Sequence, residues 1–521
     1  MIKYISLNIM PNNTIWSKQL KQDDLNRWLA FGLIALAVLI SYFPVLFYPP
    51  RADQVVYLAE TANKHPLDLI FGCYDLNRHR VFAPGDEMLF RPLLYGILGS
   101  EQALFGHHFC VWQLLGLGAH LLLIWVLLRL LWRLSNPWLA FAGTWLFALS
   151  VVNYELVSWT HLSSYILMIA CIVTVIEQVV FCIEDNEVSW NHIQRILIYF
   201  LIACFIYETA NIFVLLISGM LMICFPKARI RLLLLFTPVI LYLLSSYFNY
   251  TYLNHNQVVA KAAANGVSIG HYMHAISYLT FWWFYEGLFN GMYQYALNIR
   301  TVFKPEDVMV FKPLASNNLQ VVLEMIILSA FGGLAWLGRR QILGRSKILV
   351  ILIGMLLSYV AVIVMGRYHA MGGGLLDAVR INTYYSYMFW VIMVMIIFVF
   401  IPVKEMKTKP QQWLIIIFVT ACVLSGLWQG KKIYQMAAGY SRATNSYVLL
   451  VMTLDLLIQE KKSEPHFSFY VDRDYPGNYS YYGSLRKETD PPDRQYTFAE
   501  LLYPQYFYPK ELAEYKFLAR K

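Results

Sequence analysis

The sequence predicts an all-α polytopic membrane protein, and three observations predict it. The chain is 58% hydrophobic and only 14% charged, against roughly 25% charged in a soluble domain, and its mean hydropathy is +0.49. About eleven stretches are apolar over the roughly 20 residues that a spanning helix needs. Lys and Arg recur in every second loop between those stretches, as the positive-inside rule requires. The formal net charge of +9 therefore reports cytoplasmic loops and not nucleic-acid binding.

The first apolar segment, 28–47, is longer than a signal-peptide core of about 7–15 residues and has no small-residue cleavage site after it. It reads as a retained helix. A large first extracytoplasmic loop, 48–109, follows. It holds Arg51-Ala52-Asp53-Gln54, then Phe90-Arg91-Pro92-Leu93, and a helix lying along the surface over 94–106. The next spans are expected at 110–132, 137–153, 161–183, 193–207, 209–225 and 231–250. The region 193–225 is divided at Tyr207-Glu208-Thr209, because a carboxylate in mid-bilayer is costly and one at a surface turn is not. A second long extracytoplasmic loop, 251–318, carries an aromatic-rich amphipathic helix over 278–297, of the kind that settles at headgroup level. Further spans fall at 319–338, 347–365, 382–401 and 412–428. The chain thus divides into a transmembrane domain, 1–428, and a small extracytoplasmic segment, 429–521. The latter has a helix over 446–460 and alternates like a strand over His466–Val471.

The loop charges fix an orientation. With Lys18, Lys21 and Arg27 cytoplasmic, the loops on that side hold Arg129 and Arg133, Arg195, Lys227 to Arg231, Arg339 to Lys347, and Lys404 to Lys409. The turns near 154–160 and 207–209 hold no Lys or Arg. An odd number of spans then leaves the C-terminus outside. The acidic run Glu184, Asp185, Glu187 departs in sign, but acids contribute little to this rule. Of the seven cysteines only Cys73 lies clearly in a polar loop, so no disulfide framework is implied.

In this topology the ionisable groups gather on the outer face. Asp53 follows the first helix. Glu155 and His161 flank one outer turn and Glu208 lies in the next. Arg367, His369 and Arg380 surround the turn that contains Gly372-Gly373-Gly374, and Arg91 precedes Pro92. Carboxylates there can accept a proton or bind a sugar hydroxyl, and arginines can hold a phosphate by forked hydrogen bonds. Singly, most have an ordinary explanation: a loop acid for Asp53, a hydrated turn for Glu155, snorkelling anchors for Arg367 and Arg380, a structural role for His369, a loop anchor for Arg91. Their shared sidedness is what favours a site.

Three stretches carry a family resemblance. Phe90-Arg91-Pro92-Leu93, with Leu104-Phe105-Gly106 and His120 in the following helix, is similar to a "YRPL … LFG … H" run. Phe147 to Trp159 looks like "FALHPVHxExVAW", and Tyr207-Glu208-Thr209-Ala210 looks like "KETA". These runs resemble the GT-C class of integral-membrane glycosyltransferases, nearest the protein O-mannosyltransferase-like branch with its transmembrane and tetratricopeptide-repeat members. The chain departs from that branch at Ser150 and Asn153, where the family has histidines. Tyr207 replaces a lysine, Asp53-Gln54 stands for two adjacent acids, and no tetratricopeptide repeats follow.

The resemblance implies a GT-C type bundle and a sugar donor linked to polyprenyl phosphate, with a glycan, lipid or protein as acceptor and membrane lipid around the site. It implies Asp53 as general base, Glu155 and Glu208 orienting acceptor or sugar or holding Arg and His groups, and Arg367 and Arg380 holding the lipid phosphate. Arg91, His161 and His369 complete the substrate-binding set. It points to a bacterial inner membrane and leaves a divalent ion open; no ligand set in the sequence requires a metal, and His107-His108 is a single pair. The alternatives are a lipid-linked glycan polymerase or ligase, a polysaccharide or lipid transporter, and a non-catalytic assembly subunit. Charges at helix ends rather than mid-membrane count against transport.

Overall fold

A computed structural model describes residues 13–48, 65–71, 90–106, 108–248, 318–342, 345–363, 375–401, 408–460, 468–472 and 516–520. Asp53, Arg367, His369, Cys73, His107 and the expected surface helix over 278–297 lie outside them. The described chain is helical except for two short strands. Six helical segments are long and apolar enough to cross a membrane: Asp24–Phe47, Phe109–Leu134, Thr160–Asp185, Pro226–Phe248, Ser346–Ile363 and Lys409–Gly439. Four shorter apolar helices are Trp190–Ile206, Ala210–Cys224, Met325–Leu337 and Tyr387–Phe400. The chain is a multi-pass membrane protein.

In chain order, helix α1 (Asn13–Tyr42) runs into a 3-10 turn over Phe43–Phe47. Helices α2 (Pro66–Phe71) and α3 (Pro92–Phe105) follow, α3 covering the surface helix expected over 94–106. They pack closely because α3 presents glycine to α2: a Cβ on Gly96 would lie 2.7 Å from Ile70 Cγ1. Helix α4 (Phe109–Leu134) crosses the bundle, and α5 (Pro137–Ala148) returns. Asn136 caps α5, its Oδ1 accepting from Trp138 N at 2.9 Å, with Pro137 at the first helical position.

One straight span was expected over 137–153. The helix instead stops at Ala148, and after a 3-10 turn over Val151–Asn153 a short helix α6 (Tyr154–Ser158) leaves at 48°. The cause is local: Asn153 Nδ2 donates to the Phe147 carbonyl at 2.6 Å, an alternative to continuing the helix.

Helix α7 (Ser163–Asp185) ends with Asn186 in the left-handed region, φ 51°. Helices α8 (Trp190–Ile206) and α9 (Ala210–Cys224) are separated by Tyr207-Glu208-Thr209, the break read from the sequence. A short α10 (Arg229–Leu232), α11 (Thr237–Phe248), α12 (Asn318–Ile342), α13 (Ser346–Ile363) and α14 (Leu375–Phe400) complete the bundle before α15 (Lys409–Glu460). Two separate helices were expected, over 412–428 and 446–460. Instead α15 runs unbroken for 52 residues, about 78 Å at 1.5 Å per residue. The continuation is held by packing: Gln429, Ile433 and Ala437 are buried, and Gln429 Oε1 accepts from Val151 N at 3.2 Å. The strand expected over His466–Val471 is β1 (Ser468–Asp472). Its parallel partner β2 (Lys516–Arg520) was not foreseen; this short pair aside, the described chain is that of an all-α membrane protein.

Close helix crossings rest on small residues, since lipid offers no hydrophobic drive between helices. Gly143 of α5 lies against the Phe398 ring of α14, and Gly426 of α15 lies against Trp145. The Trp145 indole satisfies its N–H on the Val423 carbonyl at 3.2 Å. Ion pairs tie one end of the bundle. Arg129 meets the buried Glu177 at 2.5 Å and Arg133 meets Glu184 at 2.6 Å. Arg345 donates to the Leu134 carbonyl at 2.5 Å, and burial lowers its pKa.

Candidate functional site

At the opposite end, two of the sequence-singled residues come into contact. Arg91 precedes α3, and its backbone is fixed because Tyr242 OH donates to the neighbouring Phe90 carbonyl at 3.1 Å. The Phe90 ring lies against Phe205 and Tyr242. The guanidinium forks onto Glu208, with Nε donating to Oε2 at 2.7 Å and Nη2 to Oε1 at 2.5 Å. It also lies 4.0 Å over the Tyr207 ring. Arg91 is 7% exposed at its side chain and Glu208 31%, so the pair is closed on the arginine side and open on the carboxylate side. A fork of this kind is short, directional and charge-matched. Solvent therefore reaches the carboxylate and not the guanidinium.

The support behind the pair is aromatic. The Tyr207 ring stands edge-on to Tyr165 at 4.9 Å, and the Tyr165 and Tyr359 hydroxyls hydrogen-bond at 2.8 Å. Asn211 Nδ2 donates to the Glu208 carbonyl at 2.9 Å, closing the turn.

The stretch 149–162 forms the second part of the site end. Glu155 lies in α6 and His161 in a 3-10 turn over Thr160–Leu162. His161 is buried, with its ring beside Trp159 at 5.6 Å. This stretch approaches α4 where there is no side chain: a Cβ on Gly116 would lie 3.5 Å from the Val157 carbonyl. Arg380 lies on α14.

Sequence reasoning missed a buried polar network beside α6. Tyr48 and Tyr154 share a hydroxyl–hydroxyl bond. His120 is bonded to Tyr387 OH at 2.5 Å through Nδ1 and to the Ala148 carbonyl at 3.2 Å through Nε2. Tyr42 lies 5.9 Å from His120, ring to ring. On α15, Ser425, Gln429 and Lys432 are all buried on one helical face. That spacing of polar residues inside an apolar helix was the available signal. Glu101 on α3 was missed too: it is 6% exposed, and burial pushes its carboxyl up to about 8.

Among the described residues, no three His, Cys, Asp or Glu side chains gather as metal ligands. The six described cysteines are free. No protein-family model, curated protein or solved structure matches the chain.

Proposed function

We propose that this chain is a GT-C-type membrane glycosyltransferase that moves a sugar from a polyprenyl-phosphate carrier to an acceptor hydroxyl, with inversion. One observation carries the reading: Arg91 and Glu208, drawn from two of the three stretches that resemble the O-mannosyltransferase-like branch, form a single forked ion pair. The third stretch supplies α6 and Glu155. The six long helices, the bent pair at 137–158 and the four shorter helices fit an eleven-span bundle. In that bundle the N-terminus and the Arg129–Glu177 layer are cytoplasmic, and the Arg91–Glu208 pair faces outward. The resemblance favours a bacterial inner membrane.

In this reaction the acceptor oxygen bonds to the anomeric carbon as the bond from that carbon to the lipid phosphate breaks. The acceptor proton passes to the carboxylate of Asp53, which has to lie within about 3 Å of it. The polyprenyl phosphate leaves as an anion, so it calls for cations and not for an acid. Arg367 and Arg380 are assigned to it, with His161 and His369 lining the sugar and Glu155 orienting the acceptor. Glu208 holds Arg91 in its forked geometry, which keeps a guanidinium ready beside an open carboxylate.

The test is lipid release from a panel of polyprenyl-phosphate sugars, with the chain in nanodiscs. Wild type turns over at least one donor, and Asp53→Asn abolishes turnover while the protein stays folded. Normal turnover in Asp53→Asn sinks the base assignment. No turnover with any donor sinks the transferase reading.

A further inference from the structure

Between α9 and α11 the chain turns through an elbow of short pieces: a 3-10 turn over Pro226–Ala228, then α10, then a second 3-10 turn over Leu233–Phe236. The elbow lies at a membrane boundary, because the apolar span Pro226–Phe248 begins in it. Lys227, Arg229 and Arg231 alternate there with apolar residues, and all three are exposed. Ile230, between the two arginines, is 85% exposed, and Leu233 is exposed as well. A bare isoleucine among cations fits the level where headgroups meet acyl chains. Two neighbouring helices close on the elbow. Arg231 lies 5.6 Å over the ring of Trp190, which opens α8 and is itself exposed. Lys347 of α13 lies 5.8 Å over the ring of Phe225, just before the elbow. Arg229 Nε donates to the Met222 carbonyl at 3.2 Å. That bond fixes the guanidinium and leaves its two amino nitrogens for another acceptor.

We propose that this elbow binds the headgroup of an anionic phospholipid. The charge balance points there. At the same end of the bundle Arg129 and Arg133 are matched by Glu177 and Glu184. The elbow is not matched: among the described residues, Asp185 and Glu187 included, no acid pairs with Lys227, Arg229, Arg231 or Lys347. From Val188 to Phe248 the chain has one acid, Glu208, and that one is held by Arg91 at the other end. Helix α13 has none. Cations gathered from two elements repel one another unless an anion lies among them. The positive-inside rule accounts for basic residues in this loop. It does not account for their meeting Lys347 and Trp190, or for the missing acids. A phosphodiester supplies the anion: the guanidinium groups fork onto its oxygens and the ammonium groups act as point charges. Its acyl chains meet Ile230 and Leu233. A zwitterionic lipid brings its own ammonium to the same cations, so the elbow selects a headgroup of net negative charge. The proposal needs neither the transferase reading nor an orientation of the bundle.

The experiment titrates phosphatidylglycerol and phosphatidylcholine onto the full chain in mild detergent and reads bound lipid by mass spectrometry of the intact protein. Wild type prefers phosphatidylglycerol. Arg229→Gln and Arg231→Gln each lose about fivefold of that preference, the worth of one cation at an anionic surface. The control is Arg339 of α12, which is also exposed and lies 3.7 Å over the Trp336 ring. Arg339→Gln removes the same charge outside the elbow and keeps the preference. Inorganic phosphate at millimolar concentration does not displace the lipid. The proposal is overturned if wild type binds the two lipids equally, or if both elbow variants keep the preference. An equal loss in Arg339→Gln also overturns it, because the attraction is then that of the net charge and not of a site. Displacement by inorganic phosphate would show that the elbow takes the free anion, and the lipid assignment falls.

Discussion

Arg91 gives both aspects of its guanidinium to one turn, its nitrogens to Glu208 and its plane to Tyr207. Removing one member of such a pair strands the other. For a fully buried pair that costs about 3–5 kcal/mol. Arg91→Met leaves Glu208, which is 31% exposed and can rehydrate, so its cost falls below that range. Glu208→Leu strands the guanidinium, 7% exposed, and costs more. The double variant regains most of the loss, because two apolar groups leave no buried charge. Chemical unfolding of the four proteins in detergent checks this; additive losses would mean that the pair is not coupled. Glu101 makes a second residue-scale case. Burial raises its carboxyl from 4.5 to about 8. Between those values the folded chain holds a proton that the unfolded chain has released, so stability falls as pH rises through that window. The melting temperature of wild type should drop between pH 5 and 8, and that of Glu101→Gln should drop less. Parallel curves would show that Glu101 does not set the slope.

Individual helices show which features can be read locally. The break at Tyr207-Glu208-Thr209 was legible because the cost of a carboxylate in lipid belongs to one residue. The bend after Ala148 was not, since the composition of 137–158 is equally apolar whether the helix is straight or bent; the deciding bond, Asn153 to the Phe147 carbonyl, is a side-chain choice. The continuity of α15 was hidden for another reason. Gln429, Lys431 and Lys432 read as an exit from the membrane, yet Gln429 and Lys432 are buried against other elements. Glycines separate packing from propensity in the same way. Gly143 faces the Phe398 ring, so a methyl there forces the ring to move, an overpacking cost of about 1–3 kcal/mol. Gly118 of α4 has nothing within 4 Å of its Cβ position, and Ala there removes the glycine penalty of about 0.5–1 kcal/mol. Gly143→Ala should therefore lower the melting temperature and Gly118→Ala raise it. Two shifts of one sign would mean that backbone propensity, and not the α5–α14 contact, decides both.

At the scale of the whole molecule, two of the residues singled out in the sequence come into contact, but their pairing was not read. Arg91 and Glu208 were both singled out, yet 117 positions separate them, and only the packing of α3 across α8 brings them together. His120 and Tyr154 were noted in the sequence, but their bonding to Tyr387 and Tyr48 was not legible, because each partner alone looks like an ordinary membrane aromatic. The orientation of the bundle rests on loop charge, and α15 offers its sharpest test. The helix is about 78 Å long, while the hydrocarbon core is about 30 Å thick. Its first residues follow the basic run Lys404 to Lys409, which the positive-inside rule keeps in the cytoplasm. Its apolar stretch ends by Gly439, and no helix break intervenes before Glu460. A single cysteine at Thr408 and one at Glu460, each in a chain stripped of native cysteines, should therefore label from opposite sides of sealed vesicles. A membrane-impermeant maleimide applied to vesicles of known orientation reads this directly. Thr408→Cys should label with Lys21→Cys, and Glu460→Cys from the other face. Labelling of both ends of α15 from one face would mean that the helix turns back in the membrane, and it would remove the outward placement of the Arg91–Glu208 pair.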